Sequence, residues 1–484
     1  MHAKRLRAPL PAHGESLLIA GALALTALLA LLGAHKLGSA GLLAPLAVVA
    51  LVVLLSRPLF TVCLVVALTV ICEGPSFGIL TFTSHFYSHV YKYATVLDVL
   101  VAVAVASVAI ELMRTRRRLW VPRALRPVTV FLTLAILVGA VVGHAAGASI
   151  RYALGSEDVL FYLLLLPLAV ANLELDAEQI KRLLAGLAVL AVLKAVLGLV
   201  EIAGHYGPQV EGTSTLTYYE PCANWLTLVA SLSVIAALVM RARPPRWLWM
   251  SLPLVLACLL FSYRRSFWIA AVLGVALVLV ISSTPGGRRV LVVAIVGIVA
   301  TIWLLGSINF QSQLPLVKRA ASLSPTKLEA NREDRYRIDE RANVLGAIRE
   351  HPFSGLGITV AWSADVQPLS VEREEGRQYV HFAALWFWLK LGILGLAAYI
   401  AAIAGALTLA WKAWRRAPQP LLRAFGVASL AAVAGLIAMD TTASFTGVDP
   451  RFTVLFAAQV GLLARLAYRS EPQASARNDR TAEV

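Results

Sequence analysis

The run FAALWFWLKLGILGLAAYIAAIAGALTLAW, residues 382–411, contains a single charged side chain, Lys390. About 20 apolar residues suffice for a helix to cross the ~30 Å hydrocarbon core of a bilayer. This run therefore reads as a membrane-spanning helix. Working outward, comparable runs recur at about 16–34, 39–55, 58–72, 94–113, 127–145, 159–172, 182–204, 223–240, 247–262, 266–283, 290–306, 421–439 and 453–468. The neighbours 39–55 and 58–72 are short enough to form one re-entrant pair. The expectation is an all-α fold, a polytopic transmembrane helix bundle of about 12–14 spans.

Composition agrees with this. Of 484 residues, 59% are apolar and 14% are charged. Soluble domains run at about 45–50% and about 25%. A soluble enzyme, a disordered chain and a secreted mini-protein are excluded. The net charge of +16 would point to nucleic acid in a soluble protein. Here its placement matters more. The basic clusters Lys4/Arg5/Arg7, Arg114–Arg126, Arg241/Arg243/Arg246, Arg288/Arg289 and Lys412/Arg415/Arg416 all fall on the side of the N-terminus when fourteen spans are drawn. By the positive-inside rule that side is cytoplasmic. Both termini are then cytoplasmic, and nucleic acid is not a partner. The first span lacks a small-residue cleavage site and reads as a retained helix. Cys63, Cys72, Cys222 and Cys258 show neither metal-ligand spacing nor a disulfide framework.

The expected organisation is a bundle over 1–306, one large outer loop over 307–381, the last helices over 382–468 and a polar tail over 469–484. The loop carries ten Lys/Arg and ten Asp/Glu, so it is not a polybasic lipid patch. Within it, 332–350 reads as an amphipathic helix whose apolar stripe is Ile338, Ala342, Leu345 and Ile348. Arg337 and Arg341 flank that stripe, with Glu333, Asp334, Asp339 and Glu340 as available partners. Pro352 stops the helix. Gly355 and Gly357 allow a tight turn after it.

Three further features stand out on the outer side. In Ser262-Tyr-Arg-Arg-Ser266, Arg264 and Arg265 sit where lysine and arginine are usually sparse. A phosphate ligand would account for them, because a guanidinium donates two parallel hydrogen bonds to phosphate oxygens; snorkelling is the plainer account. His381 stands at the head of the 382–411 span. If 381–395 is helical, Leu385, Trp388, Gly392 and Gly395 share its face, and the glycines admit a neighbouring helix. The loop at 205–224, rich in hydroxyl, aromatic and amide groups, ends at Asn224.

Together these pieces resemble the O-antigen ligase and polymerase family of bacterial membrane glycosyltransferases. The motif residues are His381-Phe382, nine residues, Gly392-Ile-Leu-Gly395; Arg337 fifteen residues before Pro352-Phe-Ser-Gly355-Leu-Gly357; Arg264-Arg265 at a span head; and, more loosely, Pro221-Cys-Ala-Asn224. Phe382 departs from the small polar residue the family shows there. The resemblance implies a glycosyltransferase C-like fold in the bacterial inner membrane. It also implies transfer or polymerisation of a glycan from a polyprenyl-diphosphate carrier onto an acceptor hydroxyl of a glycan or lipid, in cell-surface polysaccharide biosynthesis.

On this reading Arg265 and Arg337 stabilise the departing diphosphate, with Arg264 and Arg341 as alternatives, and Asn224 joins the substrate site. His381 is the general base, although donation to the diphosphate is equally compatible. Gly355, Gly357, Gly392 and Gly395 are structural. Glu340 or Asp339 is available to orient these groups. No cofactor and no metal are expected. The competing expectation is a lipid-linked oligosaccharide flippase or another polysaccharide transporter.

Overall fold

A computed structural model describes residues 44–73, 81–91, 94–149, 157–204, 220–282, 332–369 and 376–468. The expected spans at 16–34 and 290–306, most of the 205–224 loop and the tail lie outside these residues. The protein is a polytopic helical bundle. Among the described residues seven helices are long and apolar enough to cross a membrane, or eight if a bent pair is one span.

That pair comes first: α1 (Ala44–Ser56) and α2 (Pro58–Ile71) turn by 111° at Arg57, so the short neighbours do form a broken or re-entrant unit. A small hairpin of β1 (His89–Tyr91) and β2 (Ala94–Thr95) leads into α3 (Val96–Arg114). There follow α4 (Arg126–Ala145), α5 (Val159–Asn172), α6 (Ala177–Ala203), α7 (Pro221–Val239), the short α8 (Arg246–Met250) and α9 (Leu252–Phe261), then α10 (Arg265–Ser282). The segment between α10 and α12 supplies α11 (Arg332–Glu350). The chain ends on α12 (Ala383–Arg416), α13 (Pro420–Met439) and α14 (Pro450–Ala467).

Local chemistry sets the helix starts. Proline stands in the first turn of α2, α4, α7, α9, α13 and α14, where its missing N–H costs nothing and its fixed φ suits the helix. Thr95 with Asp98 and Asp176 with Gln179 close capping boxes on α3 and α6, each satisfying two otherwise orphan donors.

The core lies around α7 and α13, which are largely enclosed, whereas α6 and α10 turn most of their surface outward. α13 packs on α10, α12 and α7, α12 packs on α4, and α14 packs on α5. Small side chains permit these approaches: Gly435 of α13 lies against the backbone of Ala270 on α10. Val130, Leu137, Val141, Leu193, Val200 and Ile400 are among the large apolar residues that remain exposed. In water such a surface would aggregate; in a bilayer it is the lipid face.

The helix ends sort into two groups. Arg117 pairs with Glu174 at 2.8 Å, the Asn172 amide bonds the backbone of Trp120, and Lys412 donates to the Tyr468 hydroxyl at 2.5 Å. These contacts join the basic ends. The opposite ends gather under α11 and the loop.

Candidate active site

The Ser262–Ser266 segment is a sharp connection between α9 and α10. Tyr263 takes a left-handed φ of 50°, which reverses the chain quickly enough for Arg265 to open α10. The two adjacent arginines then diverge. Arg265 is buried and its Nη2 donates to both carboxylate oxygens of Asp334, at 2.6 and 2.8 Å. Arg264 places its guanidinium over the Phe445 ring, 5.8 Å from the centroid.

Asp334 lies in the first turn of α11, and Arg337, one turn further on, brings Nη1 to 3.5 Å from the same Oδ1. One carboxylate thus bridges the two arginines expected at the site. Arg341 points elsewhere: it is exposed, and its guanidinium stacks over Phe382 at 5.2 Å. The position where the chain departs from the family pattern is therefore covered by a cation.

The side of α11 that is buried carries polar as well as apolar residues. Ile338 is 52% exposed, while Tyr336, Asp339, Glu340, Asn343, Val344 and Ile348 are buried. At 100° per residue this set centres nearly opposite Ile338, and of the stripe Ile338, Ala342, Leu345 and Ile348 only the last is among the buried residues. The reason is chemical. The inward side meets charged and polar partners: Glu340 meets His381, and the Asn343 amide bonds the backbone of Val366 and Gln367 at 2.7 to 2.9 Å. A polar helix face is the stable one to bury where partners await it.

His381 differs from expectation. It precedes α12, which begins at Ala383, and Phe382 is extended (φ −111°, ψ 108°). The histidine therefore shares no helical face with Leu385 or Trp388. Its backbone N–H donates to Glu340 Oε2 at 3.0 Å, and its Nδ1 lies 3.0 and 3.2 Å from the two carboxylate oxygens. Glu340 is fully buried. A carboxylate facing Nδ1 favours the tautomer protonated there, which makes Nε2 the basic nitrogen. Tyr336 and Tyr379 hold the imidazole edge-on, at centroid distances of 5.9 and 4.9 Å. Burial pushes the Tyr379 phenol above its ordinary range, so it stays neutral.

The turn after α13 supports this segment. Asp440 accepts from the backbone N–H of Phe445 at 3.1 Å and from the hydroxyls of Thr446 and Tyr399 at 2.8 and 3.1 Å. Its carbonyl accepts the Ala383 N–H at 3.0 Å. The Ser444 N–H donates to the Tyr379 hydroxyl at 3.1 Å, and the Ser444 hydroxyl to the Val380 carbonyl.

The two glycine motifs turn out to be partners. At Gly392 the helix α12 is broken, with φ 64° and ψ −160°. Into that break fits the 352–358 turn. Leu356 N–H donates to the Leu389 carbonyl at 2.7 Å, Ile393 N–H to Phe353 at 3.3 Å, and the Trp388 indole to Pro352 at 2.8 Å. Lys390, the lone charge of the span, donates to the Val360 carbonyl. The turn also reaches α4, where Ile358 N–H meets the Gly139 carbonyl at 3.0 Å. A side chain on Gly357 would start 2.3 Å from the Gly143 nitrogen. Gly355 lies against the Leu389 carbonyl and Gly395 against that of Phe387. What approaches at Gly392 is thus a loop, not the neighbouring helix expected there.

Asn224 lies apart from these contacts. It is fully buried in the first turn of α7. Glu220 caps that helix and meets Arg451 at 3.3 Å; Arg451 also pairs with Asp449 and covers the Tyr87 ring. This is a second ion cluster, and spacing arguments missed it, as they missed the buried pair of Lys194 with Glu73 at 2.6 Å. An arginine right after a helix-opening proline on the loop side was the available signal for Arg451. Among the described residues no group of three or more His, Cys, Asp or Glu is placed to hold a metal ion.

Residues 250–400 match the family model described as O-Antigen ligase. This segment belongs to the O-antigen ligase family. The O-antigen ligase domain takes in Arg264, Arg265, α11, the 352–358 turn, His381 and the break in α12, and leaves Asn224 and the 440–451 supports outside it. The family supports a glycan-transfer role in polysaccharide biosynthesis at a membrane. No curated protein matches the chain.

Proposed function

We propose that the O-antigen ligase domain transfers or polymerises a glycan from a polyprenyl-diphosphate carrier onto an acceptor hydroxyl, at the outer face of a bacterial inner membrane. The observation that carries this reading is that one helix, α11, addresses all three motif residues. Asp334 joins Arg265 to Arg337, and Glu340, six residues or about 9 Å along the axis, holds His381.

The division of labour follows from charge. The bond between the anomeric carbon and the phosphate oxygen breaks, and the diphosphate leaves with its electrons. Arg265 and Arg337, fixed in a largely dry site, stabilise the charge that develops there. The acceptor oxygen bonds to the anomeric carbon, and its proton passes to Nε2 of His381. Glu340 then stabilises the imidazolium. Guanidiniums supply the whole of the charge stabilisation in this scheme, so transfer is metal-independent and should survive chelation.

The test uses purified protein with a polyprenyl-diphosphate oligosaccharide, with and without acceptor. Lengthening without added acceptor identifies a polymerase; a single shift that needs acceptor identifies a ligase. His381→Ala should lower the rate about 10²–10⁴-fold, and Arg265→Ala or Arg337→Ala about 10²–10³-fold. Wild-type transfer in all three variants would end the proposal.

A further inference from the structure

At the basic end, between α6, α7 and α13, lies an apolar cavity of about 400 Å³. Leu184, Ala188, Val229, Ala230, Leu422 and Phe425 form its walls. Lys181, Arg182, Arg243 and Trp247 stand at its mouth. A narrower continuation along Leu187, Leu226 and Phe425 reaches Trp225 and Gln459. The slot opens sideways, because its lining residues Ala185 and Trp247 are exposed. Nothing in the transfer chemistry uses it: the Asp334/Glu340 cluster is at the other end of the bundle.

Its depth is informative. From Ala237 to Leu226 along α7 is about 16 Å at ~1.5 Å per residue. Half of a ~30 Å hydrocarbon core is ~15 Å. The slot is therefore one leaflet deep, open at the level where headgroups lie.

We infer that this slot binds one acyl chain of an anionic phospholipid from the leaflet at the basic end, with its phosphate between Arg182 and Arg243. Charge complementarity selects this occupant. Three cations stand at the mouth against one carboxylate, Glu178, which lies 2.7 Å from Lys181 and 3.8 Å from Arg182. Arg243 makes no ion pair among the described residues. Basic pockets between transmembrane helices suit anionic headgroups, and a tryptophan at the rim suits the interface. The walls of the wide part offer a headgroup no polar side chain deeper than Ser233, and Gln459 beyond the narrowing is already bonded to Trp225 and Ser429, so the chain enters and the phosphate stays outside.

The test is native mass spectrometry of the delipidated full chain with phosphatidylglycerol or phosphatidylcholine of identical acyl chains. Phosphatidylglycerol should be retained preferentially. The exposed pair Arg182→Gln and Arg243→Gln, which leaves the packing intact, should lower that preference about fivefold per charge removed. Ala230→Phe, which fills the slot, should reduce retention of both lipids. Equal retention of the two lipids, or a preference untouched by removing both arginines, would overturn the inference. So would a disulfide between a cysteine at Ala188 and one placed within 16–34, formed while neither lipid is retained, because it would assign the slot to the chain's own first span.

Discussion

The carbonyl oxygen of Phe353 occupies the space where a side chain on Gly392 would begin: a Cβ built there lies 2.0 Å from it. Two segments some forty residues apart are thereby keyed together, and the spacing of both glycine motifs has one cause. Gly392→Ala must move the turn and also hold alanine at a φ of 64°. Left-handed strain alone costs on the order of 1–3 kcal/mol. A fall in the thermal midpoint of the purified protein is expected, together with loss of transfer. An unchanged midpoint would mean that the helix closes over the break without cost.

Glu340→Gln keeps the shape of the side chain and removes the charge opposite His381 Nδ1. A drop in kcat of about 10²-fold or more is expected, since acid–base groups contribute about 10²–10⁴, while the KM for donor stays near wild type. Glu340→Asp should recover part of the rate. A purely structural carboxylate would instead move stability and leave kcat per folded molecule alone.

Arg265 and Asp334 leave only 9 and 11% of their side chains exposed. Removing one partner strands the other as a buried charge, which costs about 3–5 kcal/mol. Arg265→Gln and Asp334→Asn should each destabilise strongly, and the double variant should be more stable than the sum of the two predicts. Additive losses in the double-mutant cycle would show that the pair is already solvated.

Burial pushes the Asp440 carboxyl up to about 6, against an ordinary 3.8. A raised carboxyl binds its proton more tightly when folded, so its contribution is present at low pH and is lost as the pH rises from about 4 to 6. Asp440→Asn should flatten that part of the stability–pH curve. A wild-type slope retained in the variant would assign the titration to another group.

The spans were legible because an apolar run of sufficient length has few other uses. Helix α10 begins at Arg265, next to the charged joint from which it was expected, and the bent pair at Arg57 matches its two short runs. Hydrophobic periodicity found α11 at its observed bounds but did not say which side meets the protein. It finds the apolar stripe of a helix, but a helix laid over a polar site buries the side that carries Asp339, Glu340 and Asn343. The partners that make this burial favourable, Val366 and Gln367 for Asn343, Gln367 for Asp339 and His381 for Glu340, lie 23 to 41 residues away, beyond any local window. His381 was misplaced for a related reason: apolar composition does not mark where helical φ and ψ begin, and a bond from Ala383 to the Asp440 carbonyl fixes that start. The glycines of α12 were correctly marked for close approach, but small size does not say whether a helix or a turn will approach.

The 352–358 turn has a mechanical consequence. By bonding to α4 and α12 together it clamps the C-terminal end of α11, so any swing of that helix pivots there. Asp334 lies ~24 Å from the pivot and Glu340 ~15 Å, at ~1.5 Å per residue. A tilt therefore displaces the arginine bridge more than the histidine contact. The lever would part Arg265 from Asp334, with Arg337 travelling on the helix, while His381 keeps its carboxylate.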